Sequence, residues 1–324
     1  MYNRSFSYEN GCVTEQWQNA ARAELKDLLG ITDTLSAPRV PLNPVSIWKK
    51  DFADGSVEKI RLTMEDGFDN HIYLCLPHHF EKPYKTFICL QGHSTGMHVS
   101  IGVDWKDETS PHTDDGDRDF AIGCMKRGIA AICLEQRAMG ENSTNEQHYP
   151  ACLVPAMQLL LYGRTLLGQR IFDVSRVVDF MRERGDFDMS HVGLMGNSGG
   201  GTTTMFAAAV LPEITHAMPS CSFSSFKASI GSIHHCSCNF VPGLSNYGES
   251  ADVLGLIAPR PLVVVNGRFD PIFPLAAAQE QFARLKEIYA SLNAEENCQH
   301  VVGEGEHRFY AEDAWKIMLP LWND

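Results

Sequence analysis

The stretch that most constrains the fold of this chain is residues 191–210, which read HVGLMGNSGGGTTTMFAAAV. Its first part is apolar enough for a buried strand, and the small residues of its second part are typical of a closely packed helix. Between them, Gly196 and Gly200 lie two residues on either side of Ser198. Because glycine has no Cβ, the chain can make a turn here that is too tight for ordinary side chains. The pattern predicts a nucleophile elbow that presents the Ser198 hydroxyl at the end of a sheet.

The rest of the chain alternates short apolar strands with amphipathic helices. Such strands are predicted at residues 86–90, 129–134, 216–221, 261–266 and 300–303. Before them, residues 56–64 and 71–77 alternate apolar and polar side chains around Asp66 and Gly67, which is typical of an antiparallel hairpin. Continuous apolar strands that alternate with helices indicate a parallel sheet covered on both sides. We therefore predict an α/β fold with a mostly parallel, twisted sheet and helices on both faces.

The start of the chain is predicted to be a helical lead-in rather than part of the sheet. A helical pattern runs from Thr14, a candidate N-cap, to Gly30, a candidate C-terminal stop. Residues 37–44 contain prolines and are interpreted as an extended connection. No change of composition divides the remainder. The predicted division is a lead-in segment at residues 1–50 and a single α/β domain at residues 51–324.

Charge and hydropathy limit the partners of this chain. Its formal net charge is −13, and no basic run is longer than a pair, so nucleic acid and anionic membrane surfaces are not expected partners. No apolar stretch has the length of a membrane span, and the first residues have no apolar signal region, which favours a cytoplasmic protein. Cys75, Cys89 and Cys133 lie in apolar strands, where reduced thiols behave as small hydrophobic groups.

A serine nucleophile needs a base, and the base needs a carboxylate to hold it in the correct tautomer. Asp270 follows the predicted strand at 261–266, and His307 follows the strand at 300–303. The chain order Ser198, Asp270, His307 is the order expected on an α/β-hydrolase sheet. Asp270 could instead be a turn carboxylate and His307 a solvent-facing loop histidine. The rival acids Glu304 and Glu306 lie on the loop of the histidine itself and are expected to face solvent.

Two backbone amides are predicted to form an oxyanion hole. The amide of Gly199 lies at the start of the helix that follows the elbow. The second donor is expected in the loop Gln91-Gly92-His93-Ser94, where glycine allows the backbone to turn inward. We predict the amide of His93, with Ser94 as the alternative.

Residues 232–243, SIHHCSCNFVPG, contain four residues of metal-ligand type: His234, His235, Cys236 and Cys238. Adjacent residues rarely converge on one ion, and the paired C-x₂-C spacing of a zinc site is missing, so no metal is predicted. The segment is interpreted as a loop over the pocket. From it we predict His235 as a substrate-binding residue, together with Trp105 from the insertion after the oxyanion loop.

These motifs together resemble the α/β-hydrolase superfamily, and most closely the branch of dienelactone-hydrolase-like proteins and bacterial acetyl-xylan-esterase-like hydrolases. The resemblance covers roughly residues 50–320 and rests on six segments: the Ser198 elbow, the Gln91–Ser94 loop, residues 134–141 (LEQRAMGE), residues 168–173 (GQRIFD), and the segments of Asp270 and His307. It implies a Ser-His-Asp hydrolase of carboxylic esters that needs no metal or organic cofactor.

Two departures from that family pattern are visible. Lipase-type members have His-Gly-Gly where this chain has Gln91-Gly92-His93, which leaves the second oxyanion donor open. Dienelactone hydrolases have a cysteine in place of Ser198, which argues against their chemistry here. The expected function is therefore hydrolysis of a small-molecule ester, with a short acyl or acetyl group, through an acyl-enzyme. A peptidase or an acyltransferase on the same fold, and a non-catalytic binding protein, remain alternatives, and the oligomeric state is not readable from the sequence.

Overall fold

The computed structural model describes residues 4–8 and 14–323. Within them, a single nine-stranded sheet runs through the molecule. Its strands are β1 (Val45–Phe52), β2 (Gly55–Glu65), β3 (Phe68–Pro77), β4 (Tyr84–Leu90), β5 (Ala130–Leu134), β6 (Phe187–Asn197), β7 (His216–Ser220), β8 (Leu262–Gly267) and β9 (Cys298–Gly303).

The spatial order of the strands is β1-β2-β3-β5-β4-β6-β7-β8-β9. The pairs from β5 through β9 are parallel, while β1, β2 and β3 join them by antiparallel pairing. The predicted hairpin is present as β2 and β3, joined at Asp66 and Gly67, and Gly67 has the positive φ of 76° that this turn requires. The prediction of a mostly parallel sheet is confirmed.

Helices cover both faces of this sheet. They are α1 (Glu15–Leu29), α2 (Thr32–Ser36), α3 (Phe120–Met125), α4 (Leu153–Leu161), α5 (Leu166–Arg184), α6 (Gly199–Val210), α7 (Leu244–Tyr247), α8 (Ser250–Gly255), α9 (Leu275–Ser291) and α10 (Ala311–Asn323). Each of these helices falls short of the length or the apolar content that a bilayer-spanning helix needs.

The alternation along β4 shows how the two faces are separated. Ile88 and Leu90 belong to the core that includes α1, α5, α6, α8 and α9. Phe87 and Cys89 belong to the opposite core, which includes α3 and α10. Successive side chains of a strand point to opposite faces, so one continuous apolar strand supplies both cores.

The lead-in helix α1 has the predicted ends. The Thr14 side chain accepts a hydrogen bond from the amide of Trp17, and Gly30 closes the helix in the left-handed conformation. Arg22 attaches α1 to the main body, since its guanidinium donates to the carbonyls of Ala209 and Leu256. The helix is therefore packed against the domain it precedes.

Two details differ from the sequence expectation. The boundary at residue 51 falls inside β1, an edge strand that the sequence pattern did not reveal because its side chains are mostly exposed or half-buried. A proline usually ends a helix, yet α10 contains Pro320 and continues to Asn323. Proline removes one helical hydrogen bond, and the burial of Trp322 against Phe87, with ring centroids 4.5 Å apart, favours the continued helix.

Candidate active site

Ser198 stands at the junction of β6 and α6 in a strained conformation. Its φ is 57° and its ψ is −121°, a combination that a residue with a side chain rarely adopts. A Cβ on Gly196 would lie 2.6 Å from the backbone of Gly200, and a Cβ on Gly200 would collide with the carbonyl of Leu90. The glycines therefore make the tight turn possible, and Ser198 itself is half-buried at the carboxyl end of the sheet.

Asp270 and His307, from the loops after β8 and β9, lie side by side at the same edge. Asp270 Oδ2 accepts a hydrogen bond of 2.7 Å from His307 Nδ1, while Oδ1 accepts from the amides of Ile272 and Phe273 at 2.8 and 3.2 Å. Burial of the Asp270 side chain tends to raise its pKa, but the hydrogen bond and charge of His307 and the two amides together hold that pKa below its ordinary value. The carboxylate is therefore ionised, and it directs the other imidazole nitrogen, Nε2, away from itself.

Strand β7 connects the serine segment to the histidine segment. The amide of Ser198 donates to the carbonyl of Ser220 at 2.9 Å, and the Ser220 hydroxyl donates to the carbonyl of Arg308 at 3.3 Å. The sulfur of Cys221 lies within 4.8 Å of both a carboxylate oxygen of Asp270 and a ring nitrogen of His307. The three predicted triad residues therefore come from neighbouring segments at the carboxyl edge of the sheet.

The rival acid Glu304 takes no part in this arrangement. Its carboxylate forms two hydrogen bonds of 2.7 Å with the guanidinium of Arg268, and its side chain is 74% exposed. An exposed ion pair of this kind contributes little to stability. It orients Glu304 towards Arg268, so Glu304 is not oriented by His307.

The two predicted oxyanion amides lie next to the elbow. The first intrahelical bond of α6 runs from the amide of Thr202 to the carbonyl of Ser198 at 2.8 Å, so the amide of Gly199 has no acceptor within its helix. A Cβ on Gly92 would lie 2.9 Å from the Cβ of Ser198, so the loop that carries His93 passes directly over the serine. The imidazole of His93 packs on Gly199, where an added Cβ would lie 2.8 Å from the ring.

Gln136 supports the oxyanion loop and was not singled out from the sequence. Its amide nitrogen donates to the carbonyl of Gln91, and its amide oxygen accepts from the hydroxyl of Thr203 in α6 at 2.7 Å. The side chain therefore ties the oxyanion loop to the helix that follows the nucleophile. The available signal was its position, since Gln136 is a polar residue just beyond the buried strand β5, at the edge where α/β folds collect functional groups.

Glu135, the residue before it, is a fully buried carboxyl group. It accepts hydrogen bonds from the amides of Met97 and Glu141 at 3.2 and 3.3 Å. Burial, with a further contribution from the nearby charge of Glu141, raises the pKa of Glu135 to about 8. The carboxyl group is therefore mostly protonated at neutral pH.

The two predicted substrate-binding residues have different surroundings. The ring of His235 lies against Phe273, with centroids 5.7 Å apart, and Phe273 in turn stacks on His307 at 6.0 Å. His235 also borders a cavity of about 390 Å³ that reaches to the start of α4. Trp105, by contrast, packs on His148 at 4.2 Å. Phe273 thus contacts both His235 and His307, while Trp105 lies against the loop that precedes α4.

The structure also regroups the ligand-type residues of the 232–243 loop. His234 is exposed and lies outside the cluster, while Cys236 and Cys238 lie together with two residues from elsewhere in the chain, His93 and Cys152. The members of this cluster come from three separate segments, so it does not require adjacent residues to converge on one ion.

Comparison with known proteins gives relatives of low identity and a shared fold. No family model matches the chain. YtaP of Bacillus subtilis strain 168, provisionally named as a hydrolase, is 27% identical over 155 residues, which are 47% of this chain and 52% of YtaP. The match thus spans about half the length of this curated relative.

Solved structures extend the likeness to the whole chain. A Bacteroides fragilis protein provisionally named as an acetyl xylan esterase matches with a TM-score of 0.79 and 16% identity, over 93% of this chain and 79% of that one. The methylesterase BT1017 matches with a TM-score of 0.74 and 21% identity, over 98% of this chain and 66% of that one. These likenesses confirm the α/β-hydrolase fold that the sequence predicts.

Proposed function

Starting from the α/β-hydrolase fold of this chain, we propose that it is a serine esterase. Ser198 is the nucleophile, His307 is the general base and acid, and Asp270 orients His307. The amides of Gly199 and His93 form the oxyanion hole. His235 and Trp105 remain the proposed substrate contacts, with His235 supported by its position beside Phe273 and Trp105 by its place in the insertion after the oxyanion loop.

The proposed reaction proceeds through an acyl-enzyme. The Ser198 oxygen attacks the ester carbonyl carbon while its proton passes to His307 Nε2, and the carbonyl oxygen becomes an oxyanion held by the two amides. The bond to the alcohol then breaks, and the leaving oxygen takes the proton from His307. Water attacks the acyl-enzyme and transfers a proton to the same nitrogen, and the serine oxygen leaves with that proton as the acid is released.

One observation carries the proposal: a serine in a strained turn with φ of 57° lies at the same sheet edge as a histidine whose Nδ1 is 2.7 Å from a buried carboxylate. Backbone strain persists only where the surrounding structure enforces it, and it concentrates at functional sites. A turn that served only to connect β6 and α6 would not need a side chain there, since glycine would remove the strain.

A short acyl group is the proposed substrate class. The side chains of His93 and Met139 both lie close to Gly199, where an added Cβ would be 2.8 and 3.2 Å from them. The space beside the proposed oxyanion amide is therefore small. The name of one structural relative, an acetyl xylan esterase, supports an acyl group of this size.

The test combines active-site labelling with a substrate panel. A fluorophosphonate probe should label the wild-type chain and fail to label Ser198→Ala, while Ser190→Ala, an exposed serine at the other end of β6, should label normally. Loss of p-nitrophenyl acetate hydrolysis by several orders of magnitude in Ser198→Ala alone is expected. Unlabelled wild-type protein would indicate a binding protein instead.

The panel separates the enzymatic alternatives. Acetyl esters, longer acyl esters and aminoacyl amides are compared by kcat/KM, with and without an added alcohol as acceptor. We expect the highest values for acetyl esters. A preference for amides would indicate a peptidase, and product esters formed faster than free acid would indicate an acyltransferase.

A further inference from the structure

Four side chains with metal-binding atoms meet beside the proposed oxyanion loop. His93, Cys152, Cys236 and Cys238 each offer one ligand atom, and these four atoms all lie within 4.8 Å of one another. The closest contacts join Cys238 Sγ to His93 Nε2 at 3.2 Å and to Cys236 Sγ at 3.3 Å. We call these residues the Cys₃His cluster.

The cluster is built from segments that are far apart in sequence. His93 comes from the loop after β4, and Cys152 occupies the N-cap position of α4. Cys236 is the N-cap of a short 3₁₀ turn, Ser237–Asn239, and Cys238 lies within that turn. Cys152 and Cys238 are fully buried in a small apolar cluster with residues such as Leu166. His93 and Cys236 are half-buried, so charge interactions are strongest at the two buried thiols, which are withdrawn from water.

We propose that the Cys₃His cluster is a structural zinc site. Three thiolates and one imidazole are a standard donor set for tetrahedral zinc, with Zn–S distances of about 2.3 Å. Tetrahedral geometry at that distance sets neighbouring sulfur atoms roughly 3.8 Å apart, so small shifts of the four side chains would close the shell. All four positions are filled by protein, which leaves none for water or substrate, so the metal is structural rather than hydrolytic.

Arg170 gives independent support, because its charge needs a partner. Arg170 is 1% exposed, and its guanidinium donates to the carbonyl of Arg137 at 2.8 Å and to Cys152 Sγ at 3.3 Å. Among the described residues no carboxylate lies within ion-pair distance of it, whereas the neighbouring Arg137 pairs with Asp173 and Glu65. A buried cation without a counter-charge is costly. Zinc bound by three thiolates has a net charge of −1, which Arg170 would neutralise.

A metal here would fix the position of two segments that border the proposed active site. Binding of His93 Nε2 fixes the residue whose backbone amide is the proposed oxyanion donor, and binding of Cys236 fixes the segment that carries His235. This positioning role rests on the proposed function, whereas the metal site itself does not. The zinc would act through His93 without contacting the ester.

The decisive experiment measures metal in the intact chain. Protein produced with added zinc and purified without chelator is analysed by inductively coupled plasma mass spectrometry, and close to one zinc ion per chain is expected. Cys152→Ser and Cys238→Ser should lose this zinc. His234→Ala and Cys298→Ala, a loop histidine and a buried cysteine outside the cluster, should retain it.

Cobalt substitution gives a second measurement. It uses the wild-type chain, so it does not require any variant to fold. Wild-type protein refolded with Co²⁺ should show thiolate charge-transfer absorption and the intense visible bands of tetrahedral cobalt. Wild-type protein without metal, iron in place of zinc, or a disulfide between Cys236 and Cys238 would each overturn the proposal. Because Ser198→Ala should bind zinc normally, failure of the metal site and failure of the esterase proposal give different results.

Discussion

Replacing Asp270 by asparagine removes the charge of the proposed triad while keeping the shape of the side chain. The two carboxylate oxygens of Asp270 accept three hydrogen bonds, one from His307 and two from the amides of Ile272 and Phe273. Asparagine has one carbonyl oxygen and cannot satisfy both sides. Since each buried amide left without an acceptor costs about 1–3 kcal/mol, the oxygen should stay with the two amides and the NH₂ group should face His307.

An NH₂ group facing the imidazole selects the wrong tautomer. His307 Nδ1 must then accept a hydrogen bond from the NH₂ group, so the ring proton lies on Nε2. A protonated Nε2 cannot take the proton of Ser198. The lost charge-assisted bond and the wrong tautomer together should lower kcat by about 10⁴-fold, which corresponds to about 5.5 kcal/mol. KM should change little, because Asp270 does not contact the substrate in the proposed mechanism.

The assay is p-nitrophenyl acetate hydrolysis, with thermal unfolding measured on the same samples. Glu304→Gln is the matched control, since it removes a carboxylate from the loop of the histidine, and it should keep wild-type kcat. If folded Asp270→Asn protein stays within about tenfold of wild type, or if Glu304→Gln loses as much activity, the assignment of Asp270 is wrong.

Three further outcomes are expected. Gln136→Ala should lower kcat by roughly ten- to a hundredfold with little change in KM, because the oxyanion loop loses its tie to α6; steady-state kinetics check this. Gly200→Ala should lower stability by about 3 kcal/mol or more, because the new Cβ meets the carbonyl of Leu90, whereas Gly123→Ala, whose Cβ would have no neighbour closer than 3.7 Å, should not; thermal unfolding compares the two. The pKa of Glu135 is about 8 in the folded chain, against an ordinary value of 4.5. Between these two pH values Glu135 binds more protons in the folded state than in the unfolded state, so the free energy of unfolding should fall as pH rises through that range. This decline in the free energy of unfolding is ~5 kcal/mol at most. Urea unfolding across the same pH range measures it, and Glu135→Gln should abolish it.

The elements predicted from the sequence are those whose signals are local. The hairpin of β2 and β3, the elbow at Ser198 and the ends of α1 depend on residues within a few positions of one another, and the structure has all three. The roles of Asp270 and His307 stay predictions. Their common position at the sheet edge followed from a single rule, that the carboxyl ends of parallel strands face the same way.

The features that the sequence did not reveal depend on contacts between distant residues. Strand β1 is an edge strand without a fully buried side chain, and its pairing with β2 defines it. The helix α10 passes Pro320 because Trp322 packs against Phe87. Cys152 lies in no motif, and its relation to His93 and Cys238 appears only when the chain is folded. Long-range packing outweighed local preference in each case.

The oxyanion loop shows why such distant contacts matter for the proposed chemistry. Its one short-range backbone bond among the described residues runs from the amide of Ser94 to the carbonyl of Gly92 at 2.8 Å, so the loop has little secondary structure to hold it. Transition-state stabilisation by amides requires donors fixed in advance to within a fraction of an ångström. That precision must come from outside the loop, and the structure offers two sources, the side chain of Gln136 and the Cys₃His cluster on His93. A loop fixed at both points would keep its amide directed at the oxyanion, and loss of either should therefore reduce kcat more than it reduces binding.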